Sequence, residues 1–262
     1  MDSLSPVFDK CTVIIPSLAR DLHELKRAVN SAKLQGASTQ ILLVLVRENP
    51  EVEELCRSIG ASYIIEPRNG IYTAINSAVK SIRKNSKYFL FLGDDDVLKP
   101  GAIDALIEGI EISQYLALHG QINYVDKDSR VLFTNPGYWF AQHTLRFFPN
   151  LIPNPGTIIR TEAWEELGGY NEGYFWASDL DFFIRLRKFG KIGRINFLTT
   201  DFMWNPYGMT AGQRDGSIKE AFAIRLSHGS KWTLLFRYPI VSAFTWLGEI
   251  GIRYRLRRYN EK

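Results

Sequence analysis

The first hundred residues predict an α/β fold, a mostly parallel central sheet flanked by helices, followed at the end of the chain by a C-terminal helical extension. Three observations carry this. Four short runs, 11–17, 40–46, 61–67 and 88–93, are predominantly apolar, and the first three carry β-branched residues. Between them lie segments whose apolar residues recur at helical spacing. Prolines and glycines punctuate the boundaries. Buried strands alternating with amphipathic helices imply a sheet covered on both faces.

The elements follow in order. "CTVIIPS" (11–17) reads as a buried strand stopped by Pro16. "DLHELKRAVNSAKLQG" places Leu22, Leu25, Ala28, Val29 and Ala32 on one helical face, with Gly36 as a stop. "QILLVLV" (40–46) is a second strand. "NPEVEELCRSIG" has Pro50 near its start, three Glu in its early turns and Gly60 at its end, as a helix dipole prefers. "ASYIIEP" (61–67) is a third strand. "GIYTAINSAVKSIRKN" (70–85) aligns Ile71, Ile75, Ala78, Val79 and Ile82 on one face, and "YFLFLG" (88–93) is a fourth strand.

The second half is less regular. "GAIDALIEGIEIS" is helical, "YLALHGQINYVD" and "RVLFT" form a hairpin turning near 127–129, and the aromatic, Pro-rich stretch 137–156 reads as a loop wall. "GTIIR" is a strand, "TEAWEELGGY" and "SDLDFFIRLRKFG" are helices, and "RINFLTTDFMWNPYG" is a strand running into a loop. No linker is visible, so residues 1–215 are read as one domain and 216–262 as the helical extension.

Composition narrows the class. The 262 residues suffice for a normal core without staples. Cys11 and Cys56 lie outside any Cys/His cluster, so both are expected to be reduced thiols in a cytoplasmic protein. The first ten residues lack the basic and apolar regions of a signal peptide. No uncharged apolar stretch reaches the roughly 18 residues of a membrane span. Net charge is +4, and much of the excess sits in "RYRLRRYNEK" at the C-terminus. That tail, with the Trp, Phe and Leu before it, is either a packing helix with a solvated end or an interfacial segment on anionic lipid. No nucleic-acid-binding motif accompanies the charge, so nucleic acid is not an expected partner.

Three stretches carry candidate chemistry. Asp94, Asp95 and Asp96 follow the fourth strand, at the sheet edge where parallel α/β folds bind ligands. Hard carboxylates there suit Mg²⁺ or Mn²⁺ carrying a diphosphate, the alternative being a turn or helix cap. Asp179 and Asp181 precede an apolar helical face; one or both can be caps, or one a general base. Arg68, Asn69 and Gly70 lie between a strand and a helix start, as a phosphate cradle or as a plain turn.

In this order the pieces resemble the family 2 glycosyltransferases with the GT-A (Rossmann-like) fold. The matching segments are "TVIIPS", "RNGIYTAINSAVK", "YFLFLGDDDVLKPGAIDAL", "GTIIRTEAWEELGGYNEGY" and "SDLDFFIRL", spanning roughly residues 11–210. The resemblance implies inverting transfer of a sugar from a UDP-, dTDP- or GDP-linked donor to a saccharide or lipid-linked saccharide acceptor, in a cell-surface polysaccharide or glycolipid pathway. It implies a nucleotide-binding half to about residue 100 and an acceptor half beyond. Asp96 would bind the metal, with Asp95 on the ribose or sugar and Asp94 beside it. Pro16, Ser17, Arg68 and Gly70 would line the donor pocket, and Asp179 would be the catalytic base. Trp176 would stand on the acceptor side, and Asp181, the second acid of that motif, would either join it there or be structural. "NPYGMTAG" (205–212) matches a loop that closes over the donor, which makes Met209 and Thr210 contacts. A lipid-linked acceptor would place the protein on the inner face of the membrane.

Two features depart from the pattern. After the second strand, "VLVRENPEVEE" replaces the usual acidic "DDGS", so Glu48 would read the base. Gly93 stands where the first acid of the metal motif is often found, and "PNPGT" and Thr73 replace other common residues. These departures keep open a second class, a GT-A module that binds nucleotide sugar or glycan without turnover. A nucleotidyltransferase or a dinucleotide dehydrogenase is disfavoured, since no Gly-rich loop follows the first strand.

Overall fold

The computed structural model describes residues 11–36, 39–68, 70–204 and 214–229. Met209, Thr210 and the basic C-terminal tail, all singled out above, lie outside the described residues.

Strands β1 (Cys11–Ser17), β2 (Thr39–Leu45), β3 (Ser62–Ile65) and β4 (Tyr88–Phe91) run parallel in the order β3-β2-β1-β4. Helices α1 (Leu22–Lys33), α2 (Pro50–Ile59) and α3 (Ile71–Ile82) connect them. Local chemistry sets their ends. The Asp21 carboxylate accepts from the backbone N–H of His23 and Glu24. Asn49 caps α2 in the same way ahead of Pro50, and Gly60 closes it in the left-handed region at φ 73°.

The remaining elements are β5 (Val97–Leu98), α4 (Ala102–Ser113), β6 (Ala117–Val125), β7 (Val131–Asn135), α5 (Ala141–Thr144), β8 (Thr157–Arg160), α6 (Thr161–Glu166), α7 (Ser178–Phe189), β9 (Ile192–Met203) and α8 (Arg214–Ser227). They extend one sheet to the order β3-β2-β1-β4-β8-β6-β9-β5, with β7 added on β6. The expected parallel sheet comprises the first four strands. Antiparallel pairing enters with β8, which runs against both β4 and β6. The expected hairpin is β6–β7, with Ser129 at φ 60° in its turn. The aromatic stretch is loop apart from α5, and Ala141, Leu145 and Ile152 pin it to the core.

Strand alternation divides the interior. On β1, Val13 and Ile15 join Leu25 of α1, Val52 of α2 and Leu106 of α4 on one face. Ile14 points to the other face, with Ile75 and Val79 of α3 and Phe182 and Phe183 of α7. Ile224 of α8 belongs to this second cluster. Among the described residues no helix is long and apolar enough to cross a membrane.

Candidate active site

The order β3-β2-β1-β4 means that the chain winds outward from β1 and then returns to its other side. The crevice beyond the carboxyl ends of β1 and β4 is therefore a topological switch point, where open parallel sheets bind ligands. Ser17 ends β1 there, and the acid triplet follows β4. The Ser17 hydroxyl donates to Asp94 Oδ2 at 2.6 Å, closing the crevice at its base.

The three aspartates differ. Asp94 and Asp95 are half-buried, whereas Asp96 is only 1% exposed. The Gly93 N–H donates to Asp96 Oδ2 at 3.1 Å and the Met203 N–H to Oδ1 at 2.9 Å, so Asp96 stitches the end of β4 to the end of β9. This explains Gly93: a Cβ there would lie 2.6 Å from Asp96 Oδ2. Burial raises the protonation range of all three, and like charge adds to it. Asp95 is pushed up to about 6, by burial first and then by Asp94. Asp96, the expected metal ligand, thus has both oxygens engaged by backbone amides inside the protein.

Around the crevice, Glu48 is exposed just past β2. Gly70 holds φ 131° at the N-cap of α3, a conformation open to glycine. Arg68 does not face an open phosphate cradle. Its guanidinium donates to both oxygens of Glu66 at 2.9 Å and to Glu172 Oε2 at 2.9 Å. Those bonds, joined by one from Ser77, hold Glu66 down to about 2. Arg68 is a strut between the turn after β3 and the segment ahead of α7.

Asp179 lies half-buried in the first turn of α7. The Tyr72 hydroxyl lies 3.0 Å from Asp179 Oδ1 and 3.0 Å from the Trp176 carbonyl oxygen. Asn150 Nδ2 donates to Asp179 Oδ2 at 3.0 Å. Burial raises this carboxyl above its ordinary range, while the Leu180 amide, Tyr72 and Asn150 pull it partly back. Tyr72 belongs to the "GIYTAIN" motif, and so does Asn76, which donates to the Tyr170 carbonyl oxygen and Glu172 and accepts from the Tyr170 N–H. The motif's polar residues thus reach across from the first half and hold the chain that carries Asp179. Neither Tyr72 nor Asn150 was singled out in the sequence. The signal for Tyr72 is its i, i+4 spacing from Asn76 on an otherwise apolar helix.

Asp181, expected on the acceptor side, is buried. Arg185 Nε donates to its Oδ2 at 2.8 Å, and His228 Nε2 lies 2.7 Å from its Oδ1. Arg185 also reaches the carbonyls of Leu167 and Gly169, so Asp181 anchors a turn rather than facing a ligand. Trp176 is half-buried, edge-on to Phe175, and packed so closely on Gly216 that a Cβ there would lie 2.7 Å from the indole.

A family model described as "Glycosyl transferase family 2" matches residues 12–177. The chain belongs to this family. The GT-A fold agrees with solved structures: S. aureus TarS 1-349 superposes with a TM-score of 0.59 at 15% identity, covering 84% of this chain and 71% of that one. TarS 1-349 in complex with UDP gives 0.63 at 14%, covering 90% and 70%. TarS 1-349 in complex with UDP-GlcNAc gives 0.60 at 15%, covering 78% and 61%. No curated protein sequence matches the chain.

Proposed function

We propose that this family 2 glycosyltransferase inverts the anomeric carbon as it moves a sugar from a nucleotide-diphosphate donor to an acceptor hydroxyl, with Mn²⁺ or Mg²⁺ as cofactor. The observation that carries this reading is Asp179. Its carboxylate is half-buried, raised in proton affinity and oriented by Tyr72 and Asn150. Such a group can take the proton of an attacking hydroxyl. Single displacement needs no covalent nucleophile, and the buried Cys11, pushed above its ordinary range by burial, suits none.

The acid triplet fits a divalent ion. Two half-buried carboxylates whose proton affinity burial raises, with Asp94 adding to the rise at Asp95, are relieved by a hard cation. Among the described residues no group of three His, Cys, Asp or Glu side chains forms a ready cage. That suits an ion held by one or two carboxylates and completed by phosphate oxygens and water. Asp95, with Asp94 beside it, replaces Asp96 as the proposed ligand. When bound, the ion would offset the charge that develops on the leaving diphosphate. Pro16, Ser17 and the Gly70 backbone would line the donor, and Glu48 would accept an N–H of uracil or thymine. The TarS complexes with UDP and UDP-GlcNAc support a UDP-linked donor ahead of dTDP- or GDP-linked ones. A saccharide or lipid-linked saccharide acceptor in cell-surface polymer synthesis completes the proposal.

The test is a thermal-shift panel of UDP, dTDP, GDP and UDP-GlcNAc, each with and without Mn²⁺. Ligand at about 100 times its Kd stabilises by about 2.7 kcal/mol. A shift for one nucleotide that needs Mn²⁺ and is lost in Asp95→Asn is the expected result. No Mn²⁺-dependent shift from any of the four overturns the donor assignment.

A further inference from the structure

Helix α7 begins without a cap of its own: Ala177 stands at its N-cap position and offers no side-chain oxygen. The chain that leads into the helix is instead held from α8, more than forty residues later in the sequence. Glu220 Oε1 accepts from the backbone N–H of Trp176 and of Ala177, both at 2.7 Å, and Oε2 accepts from that of Phe175 at 2.8 Å. Three successive amides converge on one carboxylate, an arrangement of short, charge-assisted bonds. They lie in the two to four residues immediately before Asp179.

The same helix grips the other side of Asp179. Arg225, buried, donates from Nη2 to the Phe148 carbonyl oxygen at 2.7 Å and from Nε to that of Leu145 at 3.2 Å. That segment leads into Asn150, whose amide donates to Asp179 Oδ2. Just past α8, His228 meets Asp181 on α7. So α8 is tied to the backbone before the carboxylate, to the loop that supplies its Asn partner, and to the next turn of its helix.

We propose that Glu220 is a positioning residue for Asp179, and that α8 acts as a splint holding the α7 start in register with Tyr72 and Asn150. The inference rests on Asp179 being the base. Displacing a reacting group by about 1 Å can cost on the order of 10²-fold in rate. Glu220 touches neither donor nor acceptor in this account, so its loss acts on kcat and spares donor KM.

The two oxygens make separable predictions. Glu220→Ala removes all three acceptors. Glu220→Gln keeps one oxygen able to serve Trp176 and Ala177, but gives up the charge and sets an NH₂ donor where Phe175 needs an acceptor. With turnover read as UDP release from UDP-GlcNAc in Mn²⁺, Glu220→Ala should lower kcat by about 10²-fold and Glu220→Gln by about tenfold, donor KM staying within about twofold in both. Hydrogen–deuterium exchange of the full chain should quicken across residues 174–181 in Glu220→Ala while the sheet stays protected. The Asp179→Asn variant is run alongside. If Asp179→Asn is inactive while Glu220→Ala keeps kcat within about threefold, or if exchange over 174–181 is unchanged, the positioning role is refuted. If Asp179→Asn keeps full turnover, the base assignment fails instead, and the exchange result still decides whether Glu220 orders the segment. Should Glu220→Ala not fold, Glu220→Gln decides: lowered kcat with faster exchange at Phe175 supports the role, and unchanged values refute it.

Discussion

Replacing Asp95 by asparagine should stabilise the metal-free protein above neutral pH, although it removes a proposed ligand. The Asp95 carboxyl is pushed from 3.8 to about 6 by burial and by the charge of Asp94. At about 1.36 kcal/mol per unit this is about 3 kcal/mol at most, and roughly 1–2 kcal/mol once solvent access to the half-buried side chain is allowed for. The sign follows from proton binding. The folded state holds the Asp95 proton more tightly than the unfolded chain does, so stability falls as pH rises from about 4 through about 6, and the full cost is present above that. Asparagine cannot ionise and escapes the cost. Melting in a chelator at about pH 8 should therefore place Asp95→Asn about 2–8 °C above the wild type, with the gap closing near about pH 4. Mn²⁺ with UDP should reverse the order, because only the wild type gains the full binding stabilisation. A variant that melts at or below the wild type at about pH 8 in chelator would show that the charge on Asp95 does not destabilise the fold, and the argument for a cation there would go with it.

Other outcomes follow from the same geometry. Asp179→Asn should lower kcat by about 10²–10⁴-fold while keeping the nucleotide-induced rise in melting temperature, and a variant with full turnover removes Asp179 as base. Tyr72→Phe takes away a hydrogen bond that favours the ionised Asp179, so the acid limb of the kcat–pH profile should move to higher pH; an unmoved limb contradicts the contact. Asp181→Ala leaves the half-buried Arg185 and His228 without the buried carboxylate they share and should cost about 1–3 kcal/mol in urea unfolding; no measurable loss would mean the cluster is not integral to the fold.

The fold was legible wherever one physical rule governed one segment. Strands β1, β2 and β4 announce themselves because they are largely buried, and α1 to α3 because their apolar residues recur at helical spacing; β3, expected as a buried strand, is a mostly exposed strand at the sheet edge. Strand β5 was not legible: two residues are too few for periodicity, and pairing of Val97 with Asp201 creates it. The site divides in the same way. The acid triplet stands out as a cluster, but which carboxylate turns inward depends on Gly93 and Met203, and Met203 is 107 residues away. Asp179 and Asp181 look alike in the sequence, yet the Arg four residues after Asp181 already marks it as an ion-pair partner. Arg68 reads equally as part of a phosphate cradle or of a plain turn, and its bond to Glu172, 104 residues on, has no local signal. Asn150 and Glu220 have no local signature, since each acts only through a distant backbone or side chain.

The position of β4 in the sheet has a consequence for biosynthesis. Its apolar residues Tyr88 to Phe91 lie between β1, already made, and β8, which is still to come. Ribosomes add about 5–20 residues per second, so the roughly 65 residues between β4 and β8 leave this edge without its second partner for about 3–13 seconds of translation. A hydrophobic edge open for that long is a template for pairing between nascent chains. The burden of chaperone protection should therefore fall on the interval before Thr157–Arg160 emerges and closes the ladder.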